Sequence, residues 1–334
     1  MDLTCCACSA RKFARPAAAA PARGAREQIV VSPSYRGRLA PSPTGKLHFG
    51  SARTALVAWL AARRAGGALV LRIEDLDRLR VVPGAAQAIM NDLRWLGLDW
   101  DEGPDVGGAS GPYAQSQRSA RYDAALAQLQ ASGYVFRCSC SRGEVLAASS
   151  APHGELGPRY PGTCRQGPRN PERPCALRFA MERAEAFDDR LYGAQPAGEG
   201  DDFIVHRTDG LYAYQLAVVV DDIAMSIREV VRGADLLSST PRQLALYRAL
   251  GAEAPAFLHV PLVLGADGVR LAKRHGSVAI ADYRAGGVSA PQLIGRLAAS
   301  LGLVPAPTAL RAQDLIERFD PQSIAREPFY LRTR

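Results

Sequence analysis

The chain has 334 residues, of which 47% are hydrophobic and 22% are charged, and its formal net charge is +8. This composition is that of a globular protein with a sizeable core, either one large domain or a domain with an insertion, and no apolar run reaches the roughly 18 residues of a membrane span. Residues 1–36 hold six basic and two acidic residues, so +4 of the charge lies there, and the remaining charge permits an RNA partner without requiring one.

The first predicted segment is a disordered extension over residues 1–36, because it is rich in Ala, Pro and Arg and has no apolar periodicity. It lacks the apolar segment of a secretory signal, and its composition is compatible with a transit peptide or with an over-long gene start. Cys5, Cys6 and Cys8 could bind a metal, but they have no partner ligands, and we interpret the extension as dispensable.

A strand, a turn and a helix are predicted directly after this extension. Arg38–Ala40 is short and mostly apolar, as in a central strand, and Pro41 and Pro43 then prevent the strand from continuing. From Gly50 apolar residues recur at three- and four-residue spacing, which indicates a helix whose N-terminus could bind phosphate. His48 precedes this helix and could donate a hydrogen bond to a phosphate oxygen. A stiff turn with an incidental histidine explains this stretch equally well when it is taken alone.

The next predicted strand, Ala68–Ile73, ends in three carboxylates. Ligands of open α/β sheets bind outside the carboxyl ends of strands, where a carboxylate can hold a substrate ammonium group. Alternatively, a carboxylate here could cap the helix predicted near Gly84–Leu96. We predict the ligand role for Glu74 and the capping role for Asp75 and Asp77.

Four cysteines outside the extension indicate a metal site rather than disulfides, because the chain carries no secretion signal. Cys138 and Cys140 follow a predicted strand, and Cys164 lies just after a Pro-Gly turn. These three thiols are soft ligands, and Zn²⁺ takes four ligands. The fourth is either Cys175 or Tyr160, and the residues alone favour Cys175.

A hairpin and then a buried segment are predicted shortly after residue 200. Phe203–Arg207 and Leu211–Tyr214 flank an Asp-Gly pair, which is a typical hairpin turn. The apolar run Gln215–Val220 that follows could be a helix or a buried strand.

Arg232 follows the next predicted strand, Ile227–Val231, and would therefore face the same crevice as Glu74. A surface arginine paired with Asp235 is the more common arrangement when this segment is considered alone.

The remaining predictions concern one helix, one strand and one basic loop. Thr240 should cap a helix that has Pro at its first position and runs to Leu250, and Val260–Leu264 should form a strand. The basic segment Val269–Gly276 could fold over a triphosphate or could be a solvated turn. Further helices are predicted over Ala290–Leu301 and Ala312–Arg318.

Taken in this order, the segments resemble the glutamyl branch of the class I aminoacyl-tRNA synthetases over about residues 37–276. Pro41–Ser51, PSPTGKLHFGS, is similar to the HIGH signature of that family, with His48 first and Ser51 in place of the final histidine. Leu71–Asp77, LRIEDLD, resembles the glutamyl LRIEDTD segment.

The second half of the chain extends the resemblance. Arg270–Arg274, RLAKR, resembles a KMSKS loop in which Lys273 is kept. The 61 residues after Lys273 are too few for the large helical anticodon-binding domain of a full glutamyl-tRNA synthetase. Leu211–Asp222, LYAYQLAVVVDD, and Val230–Leu237, VVRGADLL, are close matches to the shorter subfamily of glutamyl-Q tRNA(Asp) synthetases.

The resemblance implies an α/β fold. This fold is a class I synthetase Rossmann-like nucleotide-binding domain with an inserted zinc-containing acceptor-side subdomain, a short C-terminal helical segment and no anticodon-binding domain. The two halves of the catalytic domain would be residues 37–133 and 201–276. The insertion would be residues 134–200, and the C-terminal segment would be residues 277–334.

The resemblance also implies an activity. Glutamate would react with ATP and Mg to form glutamyl-adenylate, and the glutamyl group would pass to queuosine at the wobble position of tRNA(Asp). The chain would be a cytoplasmic monomer with a structural zinc ion and no membrane partner. The alternatives are a truncated glutamyl-tRNA synthetase that charges tRNA(Glu), and a catalytically silent RNA- or zinc-binding module descended from a synthetase.

Individual residues receive roles from the same resemblance. His48 and Lys273 would be catalytic and, with Gly50, would bind ATP. Glutamate would be bound by Arg38, Leu39, Ala40, Pro41, Ser42, Glu74, Tyr214 and Arg232. The HIGH-like motif consists of Pro41, Ser42, Pro43, Thr44, Gly45, Lys46, Leu47, His48, Phe49, Gly50 and Ser51, and the KMSKS-like motif of Arg270, Leu271, Ala272, Lys273 and Arg274. Zinc would be bound by Cys138, Cys140, Tyr160 and Cys164, so that Tyr160 replaces Cys175 as the fourth ligand.

Overall fold

A strand, a helix and a second, parallel strand open the fold, as the sequence predicts. The computed structural model describes residues 35–148, 159–268 and 279–331. β1 (Arg36–Leu39) and β2 (Ala68–Leu71) pair in parallel, and α1 (Phe49–Arg64) connects them. β1 begins at Arg36, so the predicted disordered extension is too long at its C-terminal end, and residues 1–34 lie outside the described residues.

The other elements follow in chain order. After β2 come α2 (Ala85–Trp95), α3 (Ser119–Ala131), β3 (Val135–Cys138) and α4 (Arg142–Ala148). Short strands follow: β4 (Ala176–Phe179), β5 (Arg183–Ala184), β6 (Phe187–Asp189), β7 (Gly193–Gln195), β8 (Gly198–Glu199) and β9 (Phe203–His206). The rest comprises α5 (Tyr214–Ala224), β10 (Glu229–Gly233), α6 (Thr240–Ala249), β11 (Ala256–Val260), β12 (Val263–Gly265), α7 (Ile280–Ala285), α8 (Ala290–Ser300) and β13 (Phe329–Leu331). None of the helices in the described ranges has the length and apolar character needed to cross a membrane.

The strands that organise the molecule lie in the order β2, β1, β10, β11. Two hydrogen bonds show that β1 lies beside β10. The backbone N–H of Arg228 donates to the carbonyl oxygen of Arg36 (2.8 Å), and the side chain of Arg38 donates to the carbonyl oxygen of Val231. β2 and β10 therefore lie on opposite sides of β1, and the strand order reverses between β1 and β10. Open α/β sheets bind their ligands at this reversal, outside the carboxyl ends of the strands.

The core is built around α1, which packs against β1 and β10 and against α8. Leu56 and Leu60 are fully buried and Trp59 is 2% exposed, while alanines elsewhere on the helix allow neighbouring backbones to come close. Arg53 is buried in the middle of this helix, and its guanidinium donates to the carbonyl oxygens of Pro261 (2.5 Å) and Ser300 (2.8 Å). The buried Arg53 side chain therefore also fixes the positions of the chain segments around Pro261 and Ser300.

The C-terminal strand returns to the start of α1. β13 pairs in parallel with β12, with Val263 opposite Phe329. The Phe329 ring lies 6.2 Å from the ring of Phe49, the first residue of α1. The end of the described chain thus supports the N-terminus of the central helix.

In the second half of the chain, the structure corrects two predictions and decides whether Gln215–Val220 is a helix or a strand. Gln215–Val220 is part of a helix, α5, rather than a strand. The second arm of the predicted hairpin is reduced to a bridge between His206 and Tyr212, because Tyr214 already begins α5. The strand predicted over Val260–Leu264 is divided at a proline, which lacks the backbone N–H that a continuous strand would donate.

The C-terminal helices are only partly as predicted. α8 agrees with the helix predicted over Ala290–Leu301. The helix predicted over Ala312–Arg318 is wrong, since only a single 3₁₀ turn, Ala312–Leu315, forms there.

Replacing Gly295 by alanine should destabilise the fold, because the added methyl group would lie 1.8 Å from the carbonyl oxygen of Thr308. In an open helix a Gly-to-Ala change stabilises by about 1 kcal/mol, but here α8 must shift, and we expect a loss of about 1–3 kcal/mol. Denaturant unfolding measures this difference. Gly143→Ala is the matched control, because no atom lies within 4 Å of its added methyl group. A Gly295→Ala variant as stable as the unchanged protein would contradict this packing.

Candidate functional site

A cavity of about 720 Å³ lies at the carboxyl ends of β1 and β10, where the strand order reverses. The residues predicted to bind glutamate all line it: Arg38, Leu39, Ala40, Pro41, Ser42, Glu74, Tyr214 and Arg232. His48 and Gly50, predicted to bind ATP, line the same cavity. The KMSKS-like motif, Arg270–Arg274, lies outside the described residues.

The HIGH-like turn is held by backbone hydrogen bonds to the segment that follows the second strand. The N–H of Glu74 donates to the carbonyl oxygen of Pro41 (3.0 Å), and the N–H of Val82 donates to that of Pro43 (2.9 Å). Gly45 has a φ of 148°, which a residue with a side chain rarely adopts. These features bring the chain to His48, the N-cap residue of α1, and direct the positive end of the helix dipole into the cavity.

A buried ion network forms the side of the cavity next to β2. Arg72, which is fully buried, donates to Asp222 (2.6 Å) and to Glu74 (3.0 Å). Arg38 donates to the carbonyl oxygen of Val231 (2.7 Å), and its Nε lies 3.8 Å from an Asp222 oxygen. Burial opposes the charge on Arg72, but Asp222 and Glu74 outweigh this effect and raise the pKa of Arg72 well above its usual value.

Asp221 is the centre of a second buried group. Its carboxylate accepts hydrogen bonds from Arg118 (2.5 Å), Gln115 (2.8 Å) and Tyr122 (2.9 Å), and it is fully buried. Asp221 and Asp222 are consecutive residues of α5, so the same helix supplies a carboxylate to each of the two buried groups. No sequence pattern described above gives a role to Arg72, Arg118 or Asp221. A charged residue inside an apolar segment is the signal that points to Arg72 and Asp221, whereas Arg118 lies just before α3 and carries no such signal.

Glu74 and Tyr214 both line the cavity. One Glu74 oxygen accepts from Arg72, and the side chain is 10% exposed. Burial raises the pKa of Glu74, an effect partly offset by the neighbouring charges of Arg72 and Arg38. Tyr214 begins α5, and burial likewise raises its pKa.

Arg232 is buried in the sheet rather than paired with Asp235 at the surface, so the surface alternative is wrong. The side chain is 4% exposed, and it donates to Gln243 (2.6 Å) and to the hydroxyl of Thr240 (2.9 Å). Thr240 is therefore an acceptor for Arg232 and the first residue of α6, and the N-cap is Ser239. Burial is the main reason why the pKa of Arg232 is lowered.

The predicted capping role of Asp75 and Asp77 is wrong. The N-cap of α2 is Gly84, without a side-chain cap. Asp75 instead accepts hydrogen bonds from the backbone N–H (2.8 Å) and hydroxyl (2.6 Å) of Ser116, which ties the end of the second strand to the turn before α3. Asp77 lines the cavity.

Three thiols and a phenol meet at the end of β3. The Sγ atoms of Cys138, Cys140 and Cys164 lie within 4.8 Å of one another. The Tyr160 hydroxyl lies 3.4 Å from the Cys138 Sγ and 3.8 Å from the Cys140 Sγ. Cys175 lies apart from this group, and its thiol donates to the carbonyl oxygen of Arg173 (3.4 Å). The arrangement therefore favours Tyr160 over Cys175 as the fourth member.

The environment of these thiols differs from one to the next. Burial opposes ionisation of Cys164, but hydrogen bonds from the backbone N–H of Arg169 and from Tyr160 outweigh it and lower the pKa of Cys164 to about 6. Burial raises the pKa of Cys140 to about 11. Cys164 is thus more readily available as a thiolate than Cys140.

Comparison with known proteins identifies relatives that match most of the chain. Residues 34–325 match the family described as tRNA synthetases class I (E and Q), catalytic domain. Glutamyl-Q tRNA(Asp) synthetases of Symbiobacterium thermophilum and Nitratidesulfovibrio vulgaris are 56% and 54% identical, over 87% and 81% of this chain and 94% and 87% of theirs. A crystal structure of a glutamate tRNA ligase from Elizabethkingia meningosepticum in complex with its amino acid superposes with a TM-score of 0.74, at 30% identity, over 89% of this chain and 67% of that one.

Replacing Asp221 by asparagine should cost about 3–5 kcal/mol of stability, because it removes one partner of a fully buried ion pair and leaves Arg118 uncompensated. The midpoint of denaturant unfolding measures this effect. Asp209→Asn is the control, since Asp209 pairs with Arg207 at the surface, and it should leave the midpoint unchanged. Similar unfolding midpoints for the two variants would show that the Asp221 carboxylate does not stabilise this buried group.

Proposed function

Because the chain belongs to the class I family of glutamyl and glutaminyl tRNA synthetases, among the glutamyl-Q tRNA(Asp) synthetases, we propose that its cavity activates glutamate for transfer to tRNA(Asp). The enzyme is an adenylate-forming ligase that uses ATP. Glutamate and ATP form glutamyl-adenylate with release of pyrophosphate, and the glutamyl group passes to queuosine at the wobble position of tRNA(Asp).

One observation carries this proposal: two arginines and one glutamate side chain line the same cavity. Glutamate brings two carboxylates and one ammonium group. Arg38 and Arg232 can each make charge-assisted hydrogen bonds to a carboxylate, and Glu74 can accept from the ammonium group. Tyr214 adds a hydroxyl and an aromatic face. The charges of the cavity are therefore complementary to those of the proposed amino acid.

The first step needs no covalent nucleophile, because the α-carboxylate of the substrate itself attacks the α-phosphorus of ATP and pyrophosphate leaves. The side chains then act by holding the two substrates in line and by stabilising phosphate charge. His48 and the N-terminus of α1 are proposed to serve the phosphates. The family resemblance adds Lys273, from the segment outside the described residues, and Mg²⁺ bound with ATP.

In the second step, a hydroxyl of the queuosine cyclopentenediol attacks the activated carbonyl carbon of glutamate. The bond to phosphate breaks, AMP leaves and the hydroxyl proton passes to solvent or to the departing phosphate. The product is a glutamyl ester on the modified base. This acceptor distinguishes the proposed activity from charging the 3′ end of tRNA(Glu).

Labelled glutamate should appear on tRNA(Asp) only when the tRNA comes from cells that make queuosine. Total tRNA from queuosine-containing and queuosine-lacking cells, incubated with ATP, provides the comparison. A Glu74→Gln variant should reduce transfer at low glutamate, because an uncharged carboxamide cannot form an ion pair with the substrate ammonium group. Label on tRNA(Glu) from both sources would replace this function by aminoacylation of tRNA(Glu).

We also propose that one structural Zn²⁺ is bound by Cys138, Cys140, Cys164 and Tyr160. Tetrahedral zinc with Zn–S bonds of about 2.3 Å places its sulfur ligands about 3.8 Å apart. The 3.6 Å between the Sγ atoms of Cys140 and Cys164, and the similar distances to the Tyr160 hydroxyl, support this donor set. Zinc would join the end of β3 to the segment around Cys164.

Metal analysis of purified variants tests the zinc site. Cys164→Ala should lose the bound zinc and lower the melting temperature, because only three ligands would remain. Cys175→Ala is the matched control and should keep one zinc per chain. Tyr160→Phe should bind zinc more weakly than the unchanged protein. Full zinc content in Cys164→Ala, or its loss in Cys175→Ala, would contradict the assignment.

A further inference from the structure

Arg232 differs in the charge of its partners from Arg38, which also lines the cavity, and from Arg72, which contacts the lining residue Glu74. Arg72 and Arg38 share the carboxylate of Asp222. In the part of the chain that the structure describes, the atoms that accept hydrogen bonds from Arg232 are all uncharged: the Nε2 of His259, the Oε1 of Gln243, the hydroxyl of Thr240 and the carbonyl oxygen of Leu236. Arg232 is thus held in place by neutral acceptors, and the Asp222 carboxylate that Arg72 and Arg38 share acts on it only through space.

The hydrogen bond from Arg232 determines which nitrogen of the His259 ring carries the proton. The Arg232 Nε–H can only donate, and it lies 2.9 Å from the His259 Nε2, so this nitrogen must present a lone pair. The remaining ring proton is then on Nδ1, which donates to Asp189 Oδ2 (2.6 Å). Burial of the ring, the largest effect, lowers the pKa of His259 and agrees with a neutral imidazole.

Asp189 is fixed in turn by the backbone. Its Oδ1 accepts from the N–H groups of Leu191 (3.1 Å) and Tyr192 (2.9 Å), and its Oδ2 also accepts from the backbone N–H of His259 (3.2 Å). Asp189 ends β6, His259 lies in β11, and Arg232 lies opposite His259 in β10. Each of three neighbouring strands therefore supplies one member of a hydrogen-bonded chain that leads from a backbone turn to the cavity.

We propose that His259 is a positioning residue for glutamate recognition, oriented by Asp189. It fixes the plane of the Arg232 guanidinium through a neutral acceptor, so that the full charge remains for a substrate carboxylate. The proposal assigns Arg232 to the side-chain carboxylate of glutamate, the group that is an uncharged amide in glutamine, so the enzyme's preference for glutamate over glutamine depends on this neutrality. The proposal deepens the proposed function and rests on the role assigned there to Arg232.

Three substitutions of His259 separate positioning from simple packing. His259→Leu removes the acceptor and leaves the Arg232 Nε–H without a partner. His259→Gln offers a neutral oxygen that can replace the imidazole nitrogen. His259→Glu offers a carboxylate that would form an ion pair with Arg232 and neutralise its charge, although this carboxylate would also face Asp189.

Glutamate-dependent pyrophosphate exchange, measured with queuosine-containing tRNA(Asp) present, gives the KM values for both substrates. For His259→Leu we expect the KM for glutamate to rise about 10- to 100-fold, the effect of one charge-assisted hydrogen bond, while the KM for ATP stays within about 2-fold. His259→Gln should recover most of the loss. Equal behaviour of the Leu and Gln variants, or parallel changes in both KM values, would overturn the proposal.

The His259→Glu variant gives a readout that a packing role would not produce. It should bind glutamate poorly and lose its preference over glutamine; because the new carboxylate also faces Asp189, its melting temperature is measured to establish that it is folded. Unchanged selectivity in a folded His259→Glu enzyme would overturn the inference, even if the Leu variant does not fold. If the unchanged protein itself shows no glutamate-dependent exchange, the proposed function fails first; if it is active, the variants test this inference alone.

Discussion

The geometry of the cavity depends on the contact between Arg72 and Asp222. This ion pair is buried, and it joins the end of the second strand to α5 while Arg38 approaches the same carboxylate. A buried ion pair gains little net stability over apolar packing, but removal of one partner costs several kcal/mol. Its contribution here is therefore one of position: Glu74 and Arg38 are held relative to each other before any ligand arrives.

Arginines in this fold perform two different tasks, and their partners distinguish them. Arg72 and Arg118 are matched by carboxylates and fasten strands to α5. Arg232 is matched by neutral acceptors and keeps its charge for a ligand. The contrast follows from the chemistry of the neighbours, since all three guanidinium groups are buried to a similar degree.

The sequence predicts well those features that are encoded within a few residues. The strand, turn and helix around His48, the C-x-C thiols and the Glu74 strand end are all short-range patterns, and each is present. His259 and Asp189 could not be found in this way, because they lie 70 residues apart and meet only through strand pairing. The sequence near Asp75 predicts a helix cap, and this prediction fails because the partner of Asp75, Ser116, lies 41 residues away.

The pairing of β13 with β12 has a practical consequence for handling this protein. β12 includes Val263, a wall residue of the cavity, and β13 is its hydrogen-bonded neighbour. A truncation before Phe329 would leave an unprotected strand edge beside the cavity and would remove the aromatic ring that covers Phe49. Affinity tags and fusion partners attached at the C-terminus therefore need a spacer that leaves this edge strand free to pair.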